Sequence, residues 1–481
     1  MSMVKVKLSR WYVVVCFSFV LLQVYIASKF LGICLDDAAI SFQYAKNLAS
    51  GYGLTYHQAF EPVEGFSNPI WTGLLSICYA LGWQDLVSVS FVMGLIFHLA
   101  TGLLFCLYGF RHYFPLLILF ILYSFPYHTY WSVTGMENAS YGFFLCLAYL
   151  CVKRELSKSL WLVLALIIFS RPEGFLFAFL FALADTRERR KSLLMSVILV
   201  LVLLLLRLIY FQDILPNTIW AKWGLVHSSD PLMNLNLGLR YYWSYFTTYL
   251  TIPWVLVPVM LFLLIKRQWL LISIFAVHLM FLLCTGGDWM RGWRFMSPFA
   301  PLYCYAIASF LWAVVMRFRV TLLFLLVVLI NLLLVLVWTW RDDLKTLQAP
   351  YMDVKPRMQR AKMFEEIAAK LKISGGTLLD VDAGGTAFGS NLRVYDMAGL
   401  TVRSLAHSKK SPKEVQNFIK NLRPHFIYST GFWSKIFGLS KWSWLGKNYV
   451  PIDSKKPYFD KQLRCVLIRK DLHNKLTLLK Q

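Results

Sequence analysis

Cysteine is scarce and scattered in this sequence, with nine in 481 residues. Cys16, Cys106, Cys146, Cys151 and Cys304 lie within apolar runs, which excludes a disulfide framework and a zinc site and reads as small core side chains. No internal repeat or low-complexity tract is present. No cleavable leader is expected, because the first apolar run is too long and no small-residue cleavage site follows it. Acid is also in short supply, with 25 Asp and Glu against 49 Lys and Arg, a formal charge of +24. No nucleic-acid motif accompanies that charge, so nucleic acid is set aside as a partner. The excess concentrates after Trp340, where 26 basic residues face 12 acidic ones, a local charge of +14. Such a surface suits anionic lipid headgroups or an anionic surface polymer, and a solvated lysine-rich face is the plainer alternative. What is abundant is apolar: 58% of residues are hydrophobic and the mean hydropathy is +0.56. A polytopic membrane protein with room for one further domain is expected.

Residues 11–31 have the length and apolarity to cross a hydrocarbon core of roughly 30 Å. Lys5, Lys7 and Arg10 precede them and predict a cytoplasmic start. Apolar runs follow at 86–110, 114–127, 138–152, 160–170, 173–184, 192–211, 252–265, 269–284, 297–316 and 320–340. The short basic connectors hold Arg111; Lys153, Arg154 and Lys158; Arg187, Arg189, Arg190 and Lys191; Lys266 and Arg267; and Arg317 and Arg319. These are predicted to be cytoplasmic, and the long or acidic connectors at 34–68, 128–137, 212–251 and 285–296 external. The alternation closes if 69–83 lies on the outer surface as a juxtamembrane helix and 160–184 forms a hairpin of two short helices broken at Pro172. The expected architecture is an α-helical membrane domain over 1–340, with about eleven spans by that rule. An extracytoplasmic, soluble α/β domain follows over 341–481. In that domain 357–372 and 412–421 read as helices, and 377–381, 392–396, 426–429 and 465–469 as strands. Asp382-Ala-Gly-Gly-Thr-Ala-Phe-Gly389 reads as a glycine-rich turn that lacks the GxGxxG spacing of a nucleotide loop.

Nine of the thirteen acids in 1–340 fall on the predicted outer face. The first constellation is Asp36-Asp37, which opens the loop after the first span. One of the pair can N-cap a short helix that carries Ile40, Tyr44 and Leu48 and ends at Gly51. A cap needs one carboxylate, which leaves the other as a base or cation ligand. The second is Glu64 with Asn68, expected to face one cavity. The third gathers Glu137, Arg171, Glu173, Asn217 and Lys222, charged or polar groups close to predicted spans; Arg171 and Glu173 can also simply pair. The fourth is Asp288, Arg291 and Arg294, which suits a phosphate clamp or a structural Asp–Arg pair. Asp380, Asp382 and Asp396 sit in or beside predicted strands without a spaced catalytic partner.

DDAAISFQYAKNLASGYGL, VEGFSNPIWTGLL, TGMEN, RPEG, LPNT and GGDWMRGWRF, in that order, resemble the membrane-embedded GT-C glycosyltransferases, in the branch similar to terminal arabinofuranosyltransferases. VYDMAGL resembles the extracytoplasmic C-terminal domain of that branch. The resemblance implies a polyprenyl-phosphate sugar donor and an envelope glycan or lipid acceptor. It also implies action outside the cytoplasmic (inner) membrane, and a catalytic base at Asp36 or Asp37. The chemistry agrees: a polyprenyl phosphate leaves without an acid partner, so one carboxylate accepts the proton of the attacking hydroxyl and cations neutralise the departing phosphate. Arg291 or Arg294, with Lys222, are the expected cations. The 341–481 domain is expected to dock the acceptor or pack over the cavity. No organic cofactor is implied, and a divalent metal stays open. The rival reading is a transporter or flippase for a lipid-linked saccharide, which needs a charged path across the membrane where this sequence concentrates acids on one face.

Overall fold

The computed structural model describes residues 10–109, 125–222, 230–250, 256–318, 343–349, 352–408, 411–453 and 457–478. It is mostly helical, with a small five-stranded sheet in the C-terminal part. Among the described residues two helices, Leu86–Phe105 and Arg189–Phe211, are long and apolar enough to cross a membrane by length and composition. Shorter apolar helices of 10–17 residues accompany them. The run at 320–340, most of that at 114–127, and Lys5, Lys7, Arg111 and Arg319 lie outside the described residues.

Helices Asn138–Lys153, Leu256–Ile265, Trp269–Thr285 and Ala300–Phe318 occupy the expected apolar runs. The stretch 160–184 folds as two short helices, Ser157–Ile168 and Gly174–Ala184, with Arg171, Pro172 and Glu173 between them. Gly174 lets the arms meet, since a Cβ there would lie 2.2 Å from the Ile167 carbonyl oxygen. One connector differs from expectation. Within 212–251 lies a 20-residue helix, Pro231–Leu250. Asn234, Asn236 and Arg240 interrupt its apolar pattern, which hides it from a search for apolar runs. Its Gly238 packs against Trp269–Thr285, where a Cβ would sit 2.3 Å from the Leu282 carbonyl oxygen.

The chain groups into two compact units, and the grouping does not follow the expected boundary at 340. Met1–Ile33, Val87–Leu201 and His227–Pro350 form one; Cys34–Leu86, Val202–Val226 and Tyr351–Gln481 form the other. The regular elements among the described residues of the first are all helices.

The second holds the sheet, in the order β2-β1-β3-β5-β4. β1 (Thr377–Asp380) pairs in parallel with β2 (Arg393–Asp396) and β3 (Phe426–Ser429). β5 (Cys465–Arg469) runs antiparallel to β3 and to β4 (Tyr449–Pro451). Successive side chains on a strand point to opposite faces, and both faces are covered. Leu378, Val394, Phe426 and Ile468 pack with Phe364 and Ala368 of helix Val354–Lys370. Leu379, Ile427 and Leu467 pack on the other side with Val415 and Ile419 of helix Pro412–Leu422. The first cluster continues into Ile40, Tyr44, Tyr56, Phe66 and Phe211, so the expected first external loop shares its core with the sheet. Backbone bonds Asp36 N to Met352 O (2.8 Å) and Val354 N to Cys34 O (2.9 Å) join the two segments directly.

Candidate functional site

Asp36 and Asp37 open the helix Asp36–Ala49, and Ser50 and Gly51 (φ +83°) end it. Neither aspartate is the cap. Leu35 holds that position, and no side chain caps the helix. The Asp36 carboxylate turns instead to the C-terminal segment, accepting hydrogen bonds from Gly385 N at 2.7 Å and Gly384 N at 3.4 Å. Arg357 Nε lies 3.4 Å away. Asp36 is 2% exposed, whereas Asp37 is half-buried.

The glycine-rich segment expected as a turn is therefore a short helix, Ala383–Phe388, whose first N–H groups hold a carboxylate of this same chain. Uncapped N–H groups at a helix start attract anions. Glycine is required there, because a Cβ on Gly384 would fall 1.8 Å from the Asp36 carbonyl oxygen.

Around this lock the C-terminal acids find partners that sequence spacing does not reveal. Asp380 and Asp396 end the parallel strands β1 and β2 side by side. The carboxyl ends of parallel strands are where open α/β sheets place their ligands. Arg360 reaches Asp380 (3.0 Å) and Asp382 (3.4 Å), and Arg357 reaches Asp382 (3.3 Å). Three carboxylates, of Asp36, Asp380 and Asp382, thus share two guanidinium groups. Asp380 also accepts from Thr386 Oγ1 at 2.8 Å. Burial, opposed by Arg357, raises Asp36 to about 7. Burial likewise raises Asp396 to about 7, against hydrogen bonds from the Ala398 and Leu400 N–H groups, and it raises Asp380 against Arg360. Among the described residues no three His, Cys, Asp or Glu side chains are arranged to hold a metal ion.

Glu64 and Asn68, expected to face one cavity, take different partners. Glu64 forms a two-pronged pair with Arg207 at 2.8 and 3.0 Å. Asn68 accepts from Ser41 Oγ (3.0 Å) and Thr72 Oγ1 (3.1 Å). Asn217 N donates to Glu64 O at 3.0 Å, and its side chain donates to Gly399 O and Leu400 O at 2.8 and 2.7 Å. The segments DDAAISFQ, VEGFSN, LPNT and VYDMAGL thus converge in one unit. Lys222, at the end of the short helix Asn217–Lys222, is half-buried.

The other expected residues converge within the helical unit. Arg171 bridges Glu137 and Glu173, all three buried. Arg294 is 5% exposed and held by Asp288 at 2.8 Å, while Asn138 donates to the Arg294 carbonyl at 2.7 Å. TGMEN, RPEG and GGDWMRGWRF are thereby tied together, with the Arg171 guanidinium 5.5 Å from the Phe295 ring centre. Arg294 is engaged as a structural partner, and Arg291 is the exposed arginine of that segment.

Sequence reasoning missed Arg207, Arg357 and Arg360. A lone arginine inside the apolar run 192–211 was a signal for the first. The i, i+3 spacing of Arg357 and Arg360 on one helix was a weak signal for the others. No protein-family model matches the chain, and no curated protein matches it either.

Proposed function

We propose that this chain is a multi-pass glycosyltransferase of the cytoplasmic (inner) membrane. It transfers a sugar from a polyprenyl-phosphate donor to a hydroxyl of an envelope glycan or lipid acceptor on the extracytoplasmic face. Asp37 is the general base. The observation that carries this reading is the split within the aspartate pair. Asp36 is buried and held by two backbone N–H groups and an arginine, so its lone pairs are spent on support. Asp37 starts the same helical turn with part of its surface open. A base placed on a helix whose first residue is clamped keeps its orientation, which is what proton transfer in a transition state requires. The six segments resembling GT-C enzymes support the same reading by collecting into two groups rather than scattering.

The leaving phosphate needs positive charge. Lys222, in the same compact unit as Asp37, is proposed for that role, while Arg294 serves Asp288. The test is acceptor-dependent release of polyprenyl phosphate by the purified chain in liposomes. D37N is expected to slow release by about 10²–10⁴-fold, the usual span for a general base. Parental turnover by D37N would end the assignment, and saccharide movement across the liposome without release would favour transport.

A further inference from the structure

We propose that a cavity of the helical unit, far in chemistry from the acid-rich groups above, binds the anionic phosphoryl headgroup of a membrane lipid. The cavity measures about 370 Å³, within the range of small-molecule sites. Three cations, Lys153, Arg154 and Lys266, line it, and no carboxylate does. The adjoining acid, Glu155, is held by Arg187 at 2.8 Å. Lys153 Nζ donates to Gln268 Oε1 at 2.8 Å, which draws the turn carrying Lys266 to the end of helix Asn138–Lys153 and gathers the charges.

Two further features point to a phosphoryl group on a lipid. Gln268 and Leu271, from the N-cap and first turn of helix Trp269–Thr285, line the cavity, and no side chain caps that helix. The positive end of a 17-residue helix therefore adds to the cationic field. Leu150, Phe262 and Leu263 line another part of the wall, beside the hydroxyl-bearing Tyr149, Tyr305 and Ser309, and offer a surface for the start of a lipid's carbon chain. Lys153, Arg154 and Lys266 also belong to the connectors that charge assigns to the cytoplasmic side, where anionic lipid concentrates. The proposal rests on the membrane reading given above but not on glycosyl transfer.

The experiment uses the full chain in liposomes of phosphatidylcholine with a minor share of phosphatidylglycerol, then extracts it and counts the retained lipids by native mass spectrometry. The parent is expected to retain phosphatidylglycerol in preference to phosphatidylcholine. Each neutralised cation should weaken retention roughly fivefold, the effect of about 1 kcal/mol per surface Lys or Arg. K266Q serves as the mild variant, and the triple K153Q/R154Q/K266Q as the full one. Equal retention of the two lipids overturns the proposal, as does parental retention by K266Q and the triple variant at a parental Tm. If inorganic phosphate alone displaces the lipid and raises Tm as far as the lipid does, the site serves free phosphate and the lipid assignment falls. A chain that stays dispersed without detergent would overturn the membrane reading itself, and that is seen before any lipid is added.

Discussion

Substituting Asp36 and Asp37 in turn separates support from chemistry, because Gly384, Gly385 and Arg357 clamp Asp36. D37N should slow transfer by about 10²–10⁴-fold. D36N should lower Tm as well, by the equivalent of about 1–3 kcal/mol for a weakened buried hydrogen-bonded charge. Equal Tm values for the two variants would count against the clamp. The buried acids also set a pH dependence. Asp36 and Asp396 stand at about 7 in the folded chain, against an ordinary value of 3.8. The folded state then holds those protons more tightly than the unfolded state. The stability they contribute is full below about pH 4 and declines as pH rises through about 7. The slope is at most about 1.4 kcal/mol per pH unit for each group. Thermal scans between about pH 5 and pH 8 should show a smaller decline in D396N than in the parent; identical slopes would contradict the burial of Asp396.

The hairpin Ser157–Ile168 and Gly174–Ala184 depends on its tip. Arg171 there satisfies Glu137 and Glu173, so R171Q leaves two buried carboxylates facing each other and should cost about 3–5 kcal/mol. A chemical-denaturation midpoint unmoved by R171Q would show that the triad is dispensable. This hairpin was legible in the sequence, because basic connectors flank both ends and Pro172 breaks the run. So were β3 and β5, whose apolar and β-branched residues occupy Phe426–Ser429 and Cys465–Arg469 as expected. Three other elements were not. β4 is three residues long and contains Pro451, too little for any period to register. Helix Ala383–Phe388 begins Ala-Gly-Gly, a composition that favours turns, and forms because Asp36 supplies the anion its N–H groups need. Helix Pro231–Leu250 mixes Asn and Arg into its apolar stripe.

Across the whole molecule, the sequence shows its polar motifs in order but not how they assemble. Asp36 meets Gly385, and Asn217 meets Gly399 and Leu400, through contacts between segments hundreds of residues apart. Spacing along a chain carries no information about such pairs. The Tyr351–Gln481 segment also completes the core around the loop 34–86. Removing it would bare Ile40, Tyr44, Tyr56 and Phe66 and strip Asp36 of its partners. A chain truncated after Pro350 should therefore aggregate or be degraded, rather than merely lose acceptor use; a stable truncated chain that still binds donor would contradict this. An enzymatic reporter fused after Gln481 should be active in the extracytoplasmic compartment, and a cytoplasmic signal would overturn the proposed odd number of crossings. The shared core also sets a timetable for biogenesis. Asp36 and Gly385 are 349 residues apart, and at about 5–20 residues per second a ribosome needs roughly 17–70 s to deliver the second after the first. Throughout that interval Ile40, Tyr44, Tyr56 and Phe66 lack the C-terminal side chains they pack with, and the Asp36 carboxylate lacks the N–H groups that hold it.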